Sequence, residues 1–426
     1  MTAYHKKGKV DHQEQQQNNA YLQLTMSEIM GKAKEGLLAL SIELGLQTIR
    51  LMIEQEVDSL VGPKGVHNPN RTAYRHGHEQ SHLVVGGRKV SVKKPRVRSI
   101  EGQEVPLNTL SQFQASDPLT EAVLARMLHG VASRAYQSTL ESFGPAVNSE
   151  GVSKSSVSRR FIAGTEKKLQ ELMQRPLGSL RMVALMIDGV AIGEHMLLAA
   201  LGIDDQGKKH ILGIQEGATE NSSVCKSLLA DLTERGLSAE QGLLVVIDGS
   251  KALAKAVKDV FGDRAVIQRC QVHKRRNVLE HLPESEKERI GRKIKLAYME
   301  FEYAQAKFRL ERIIEELDER YPGAANSLRE GLEEILTVHK LNLPGRLRRS
   351  LSSTNLIESA NSVATNVFSR VKNWRSGNQV LRWAAAGFLM AEEKFRRIQG
   401  YRDLTILTTQ LQMAINKSDS IKSQTA

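Results

Sequence analysis

The chain has 426 residues, more than one ordinary hydrophobic core holds, so roughly two to four folded units are expected. Its 60 Lys and Arg against 48 Asp and Glu leave a formal charge of +12, which favours a polyanionic partner such as nucleic acid. Two cysteines, Cys225 and Cys270, exclude a disulfide framework and fit a reducing compartment, and no apolar run is long enough to span a bilayer; a soluble, cytoplasmic protein is expected.

Residues 1–24 are polar, with a Gln/Asn-rich stretch from Gln13 to Asn19, and read as a disordered leader rather than a signal peptide. Residues 25–115 form an N-terminal region of helix and basic hairpin. Leu37, Leu40, Leu44, Ile49, Met52 and Val57 recur near helical spacing, which predicts one or two amphipathic helices between Lys34 and Leu60. From Lys64 to Ile100 there are nine Lys or Arg and four His with Glu79 as the sole acid, so this segment is built for an anion or a solvated surface. Within it His82 to Lys94 reads as a hairpin around Gly86-Gly87, with Arg88, Lys89, Lys93 and Lys94 as candidate DNA contacts. His67, His76, His78 and His82 have no cysteine nearby and do not form a zinc pattern.

Residues 116–178 read as a helix-turn-helix-like DNA-binding region. Asp117-Pro118 opens a helix to about Leu128, a second is expected over Ala135 to Phe143, and a third over Val152 to Ala163 with Ser153 as its cap. Lys154, Ser155, Ser156, Arg159 and Arg160 on that last helix are the donors a recognition helix needs, although an ordinary helical hairpin has the same composition.

The central unit, residues 179–282, opens with Met182 to Ile192, an apolar run holding one carboxylate, Asp188. Apolar runs at His195 to Ile203 and Lys209 to Gln215 complete an antiparallel meander. A helix over Asn221 to Arg235, a strand from Leu243 ending in Asp248, a helix over Lys251 to Phe261 and a strand over Ala265 to Arg269 follow. Three meander strands and then alternating helix and strand describe an α/β fold, a ribonuclease H-like mixed sheet. Residues 283–346 are an all-helical insertion, with one apolar stripe through Ile290, Ile294, Ala297, Phe301, Ala304 and Phe308. Residues 347–400 complete the core with basic helices, and 401–426 are a C-terminal tail.

Between Ile335 and Ala391 eight Lys or Arg accompany one acid, Glu358. Taking Leu356, Ala360, Val363, Val367, Val371 and Trp374 as the buried stripe of its helix, Glu358 lies about 200° from Leu356 and points away from the seam. An ion pair with a nearby arginine is the structural alternative. A lone acid inside an apolar strand is costly unless paired or bound to a cation, and Ile-Asp-Gly occurs twice, in the middle of the first run around Asp188 and at the end of a second around Asp248. Asp188, Asp248 and Glu358 together form a minimal cage for two Mg2+ ions, with Mn2+ as a substitute, suited to phosphodiester cleavage and strand transfer.

These residues make the chain resemble the mutator-type transposases of bacterial insertion sequences, acid-triad recombinases with a ribonuclease H-like core. The likeness runs from about Leu37 to Arg397 and is carried by Ile187-Asp188-Gly189, Ile247-Asp248-Gly249, Cys270-Gln271-Val272-His273 and Ser353-Thr354-Asn355-Leu356-Ile357-Glu358. It implies that Asp188, Asp248 and Glu358 are metal ligands. It also implies a Cys-x-x-His motif, here Cys270 and His273; two residues cannot close a four-ligand zinc site, so His273 is expected near the active site or the substrate. The family's insertion usually carries a tryptophan, whereas Trp374 and Trp383 here both follow Glu358. The resemblance further implies double-stranded DNA as partner, element ends and target alike, a homodimer or larger assembly on it, and nucleoid association when bound. The expected function is a DNA transposase acting on terminal inverted repeats with Mg2+. The alternatives are a DNA-binding regulator on an inactive transposase scaffold and a host nuclease of the same fold.

Overall fold

Two sequence periods, near 3.6 in the flanks and an unbroken apolar run at the centre, become two kinds of structure in the computed structural model. It describes residues 37–66, 71–85, 88–115, 118–140, 149–150, 153–217, 222–369 and 371–425. The expected leader, the Gly86-Gly87 turn and the Asp117 cap lie outside the described residues. The chain separates into two compact units, Met1–Gly164 and Thr165–Ala426.

In the first unit a single helix α1 (Leu37–Val61) buries Ile42, Leu46, Ile53 and Val57. Those residues pack with Leu83, Val90, Val92 and Val97 of a long hairpin, β1 (Ala73–Val85) and β2 (Arg88–Ser99). The hairpin extends well beyond the expected His82–Lys94, with Val85 opposite Arg88 and Ala73 opposite Ser99. Two short strands, β3 (Glu104–Val105) and β4 (Ser149–Glu150), pair with β2, and the helices α2 (Asn108–Ala115) and α3 (Pro118–Leu128) lie between them in sequence.

The helix expected over Ala135–Phe143 does not form in its described part, which holds only a 3-10 turn at Gln137–Thr139. Ser138 and Thr139 donate their hydroxyls to the carbonyls of Ala135 and Tyr136 at 2.8 and 2.7 Å, a local alternative to helical bonding, while Tyr136 is fully buried. Helix α4 (Lys154–Met173) runs ten residues past the expected end, and the unit boundary falls within it. Between α3 and α4 the described residues hold that 3-10 turn and β4.

The second unit is built on a five-stranded mixed sheet whose strands lie side by side in the order third, second, first, fourth and fifth along the chain. Its strands are β5 (Met182–Ile192), β6 (His195–Asp204), β7 (Lys209–Gly217), β8 (Leu243–Ile247) and β9 (Ala265–Arg269), with α5 (Ser222–Glu234) before β8 and α6 (Lys251–Phe261) after it. The first three strands run antiparallel, while β5, β8 and β9 are parallel. Central strands are covered on both faces, which is why they read as continuous apolar runs. Leu185, Ile187, Val245 and Ile247 face a core shared with α5 and α6. Ala184, Met186, Leu244 and Val246 face the other core, which draws on helices from the C-terminal part of the chain.

After β9 come α7 (Gln271–Glu280), α8 (Glu284–Met299), α9 (Tyr303–Asp318), α10 (Pro322–Arg329), α11 (Leu332–Ile335) and α12 (Thr337–Lys340), so the insertion is helical as expected. Its apolar stripe is not continuous. The break at Glu300–Glu302 resets the helical phase, leaving Phe301 and Phe308 more than half exposed while Ala306, Leu310, Ile313 and Leu317 take the buried side.

Next follow α13 (Gly345–Leu351), α14 (Asn355–Phe368), α15 (Gly377–Glu392) and α16 (Leu404–Thr425). The expected C-terminal tail is therefore largely a helix, and Leu404, Leu407 and Leu411 sit in the main core because an apolar face recurs at helical spacing there. No helix among the described residues is long and apolar enough to cross a membrane.

Candidate active site

Strand register and side-chain parity bring the two aspartates together. Met186 pairs with Val246 in the parallel β5–β8 ladder, and Asp188 and Asp248 each lie two residues further along. With a period of two, both share a face with Ala184, Met186, Leu244 and Val246, the face that packs against α14. Gly249, at φ 116°, adopts a conformation open mainly to glycine and turns the chain out of β8. Ser250 then caps α6 by accepting from the Leu253 N–H, while its own N–H donates to Asp248 Oδ1 at 3.0 Å.

Helix α14 brings the third acid. Its buried seam is Ile357, Ala360, Asn361, Ala364 and Val367; Leu356 and Val363 are only half-buried, and Val371 and Trp374 lie beyond the helix end. Glu358 therefore does not point away from the seam but sits on its margin, about 60° from Asn361. That correction matters, because Asn361 donates its amide to Asp188 Oδ2 at 2.7 Å and so ties the glutamate's helix to β5. Glu358 forms no arginine pair among the described residues; its Oε1 accepts from the Thr354 hydroxyl at 2.6 Å and lies 3.9 Å from His273 Nε2.

The Cys-x-x-His segment supplies the remaining wall. The Cys270 N–H donates to the Ile247 carbonyl at 2.7 Å, and the Cys270 sulfur caps α7 by accepting from the His273 N–H at 3.4 Å. Thr354 approaches the same sulfur through its N–H at 3.5 Å and its hydroxyl at 3.3 Å. Cys270, His273 and Glu358 offer ligand atoms within 4.8 Å of one another. Yet the sulfur is fully buried and already surrounded by donors, so it fits a structural hub better than a zinc ligand.

Electrostatics agree with that geometry. Burial, and then the charges of Asp248 and Glu358, raise Asp188 to about 6, opposed by His273. His273 is held protonated, raised to about 9, first by its hydrogen bond with Cys270 and further by Glu358 and Asp188. The charges of Asp248 and Glu358 act on Asp188 more strongly than the opposing His273, and the Oδ1 of Asn361 is enclosed with no hydrogen-bond partner among the described residues, while the set of ligand atoms within 4.8 Å of one another there leaves out both aspartates.

The basic residues expected to touch DNA lie in the first unit. Lys89 and Lys93 are exposed on β2, whereas Lys94 pairs with Glu79 at 2.8 Å and Arg88 is half-buried. On α4 Lys154 and Arg159 are exposed, and the Ser156 N–H donates to the Ser153 hydroxyl at 3.2 Å. Arg160 instead donates to Thr120 at 2.9 Å. Sequence reasoning missed Asn361, although a polar residue three positions after the lone glutamate was a readable signal. Trp374 packs edge-on to Phe368 at 6.0 Å.

The family described as Transposase, Mutator family, matches residues 12–376. The chain is 27% identical over 372 residues, 86% of its length and 91% of the other's, to the transposase for insertion sequence element ISRM5 of Rhizobium meliloti (strain 1021). It is 28% identical over 247 residues, 57% of this chain and 74% of the relative, to that for IS6120 of Mycolicibacterium smegmatis. To that for IS256 in transposon Tn4001 of Staphylococcus aureus it is 26% identical over 327 residues, 73% and 79% of the two chains.

Proposed function

The chain belongs to the Mutator family of transposases, and on that premise we propose that it binds the terminal inverted repeats of its insertion sequence and performs Mg2+-dependent strand cleavage and strand transfer. Three antiparallel strands followed by two parallel ones support reading its core as ribonuclease H-like. The observation that carries the mechanism is the bond from Asn361 to Asp188, which draws Glu358's helix onto the strand whose neighbour carries Asp248.

Asp188, Asp248 and Glu358 would hold the metal. When bound, two Mg2+ ions supply Lewis acidity at the scissile phosphate and lower the pKa of an attacking water or hydroxyl. Thr354 fixes the Glu358 carboxylate, Ser250 fixes that of Asp248, and cationic His273 adds a positive charge at the rim where a phosphate arrives. Lys89, Lys93, Lys154 and Arg159 grip the duplex backbone, and a homodimer or larger assembly holds the two ends.

An assay of nicking and joining on DNA carrying the element's ends tests this. Asp188→Asn, Asp248→Asn and Glu358→Gln each lower both steps by roughly 10³-fold or more, while end binding in EDTA persists. Undiminished cleavage by these variants overturns the reading, and binding without any metal-dependent cleavage in the parent chain points to a regulator.

A further inference from the structure

A cavity of about 610 Å³ opens where α7, α8 and α13 meet, with Arg275, Lys295, Arg348 and Arg349 on its walls. It begins where the candidate active site ends. Gln271 and Ser352 also line it, and the Gln271 N–H donates to the Ser352 carbonyl at 2.9 Å between Cys270 on one segment and Thr354 on the other.

Its cations differ from most of those on the insertion. Elsewhere on the insertion Lys293 and Arg289 pair with Glu316, Lys307 and Lys340 with Glu333, Arg309 with Glu300, and Arg329 with Asp318. Among the described residues none of the four cavity cations has a carboxylate within ion-pair distance. Arg348 is half-buried, and burial lowers its pKa; its partners are the Phe301 carbonyl at 3.0 Å and the Phe301 ring. Cations without a carboxylate partner along one concave wall leave it positive, and an anion is its complement. Arg349 also lines a second cavity, of about 570 Å³, with Arg346 and Arg397, so the positive surface continues past the first.

We infer that this cavity binds the sugar-phosphate backbone of a single DNA strand beside the cut site. The inference rests on the reading of the chain as a strand-cutting enzyme and adds the path of a separated strand. Cavities of roughly 300–1,000 Å³ enclose ligands of drug size, which suits a nucleotide or two of one strand and not a duplex. Arginine forks match phosphate oxygens in pairs, and two cavities sharing Arg349 give successive phosphates successive partners.

The test is fluorescence anisotropy of the full chain with a labelled oligothymidylate across a salt series, in EDTA. Arg275→Gln/Arg349→Gln weakens binding by about tenfold or more, and the slope of log K against log salt shrinks by about 1.4, near 0.7 for each single-strand phosphate that is no longer neutralised. Lys295→Gln, at an exposed position, shrinks it by about 0.7 and serves if the double variant folds poorly. Arg292→Gln, outside the cavity and paired with Glu288, leaves the slope unchanged. Unaltered affinity and slope in a cavity variant that melts like the parent overturn the inference, as does an equal loss on a duplex with no preference for the single strand. Because no metal is present, the outcome is separate from that of the acid variants: cleavage that survives Asp188→Asn removes the function proposed above and leaves this measurement standing.

Discussion

At the scale of single residues, the site carries a conflict between stability and activity. Keeping Asp188 ionised at neutral pH, buried and beside two other acids, costs the fold on the order of 3 kcal/mol. Asp188→Asn keeps an acceptor for Asn361 while removing that charge, so it raises the melting temperature in EDTA even as it abolishes cleavage. Added Mg2+ should stabilise the parent and not the variant; scanning fluorimetry checks both, and a variant that melts lower than the parent in EDTA contradicts a repulsive Asp188.

A second titratable group acts on the fold alone. Burial, and then the Arg348 charge, push His339 down to about 4, with its Nε2 3.2 Å from the Tyr298 carbonyl oxygen and its Nδ1 enclosed without a partner. The unfolded ring takes up a proton near 6.5 and the folded ring resists it, so the contribution is complete above pH 6.5 and is lost as pH falls toward 4. Urea midpoints at pH 7.5 and 4.5 should show a loss on the order of 2–3 kcal/mol that His339→Gln largely removes.

Among the elements, α14 positions both Glu358 and Asn361, and α15 backs it. A Cβ added at Gly387 would stand 3.1 Å from the Ala364 Cα, tighter than ordinary contact, so the two helices lie against each other with little room to give. Gly387→Val destabilises by roughly 1–3 kcal/mol and moves α14 relative to the aspartates. Cleavage should fall by about 10²-fold while end binding changes little; equal losses in both would place the effect elsewhere. The element scale is also where sequence reasoning divided. The α6 and β9 boundaries were legible because a period and its flanking turns coincide there, as at Ser250 and Gly262. The stripe through Phe301 and Phe308 misled because periodicity carries no mark where a helix breaks and restarts in a new phase.

Over the whole molecule, positive charge is left free in particular places rather than spread evenly. Lys89, Lys93, Lys154 and Arg159 are exposed in the first unit, while many of the insertion's outward cations are paired with glutamates. Affinity for duplex DNA should fall steeply with salt, and Lys154→Gln/Arg159→Gln should lower the slope of log K against log salt by about 1.8, at roughly 0.9 for each duplex phosphate left unneutralised. A flat salt response in the parent removes the electrostatic footprint.

The order of strands in the central sheet, the helical insertion and the presence of a carboxylate in each of two apolar strands were already written in the chain. They depend on local period and on the cost of a carboxylate inside an apolar strand, and both are properties of short segments. The side of α14 that faces the sheet, the partnership of Asn361 with Asp188, the approach of Thr354 to Cys270 and the cavity of unpaired cations were decided only by tertiary packing. Asn361 and Asp188 are 173 positions apart, Thr354 and Cys270 are 84 and Gln271 and Ile335 are 64, and the side α14 presents is a rotation of one helix against the sheet. Such contacts arise from three-dimensional packing, which no local pattern of residues encodes.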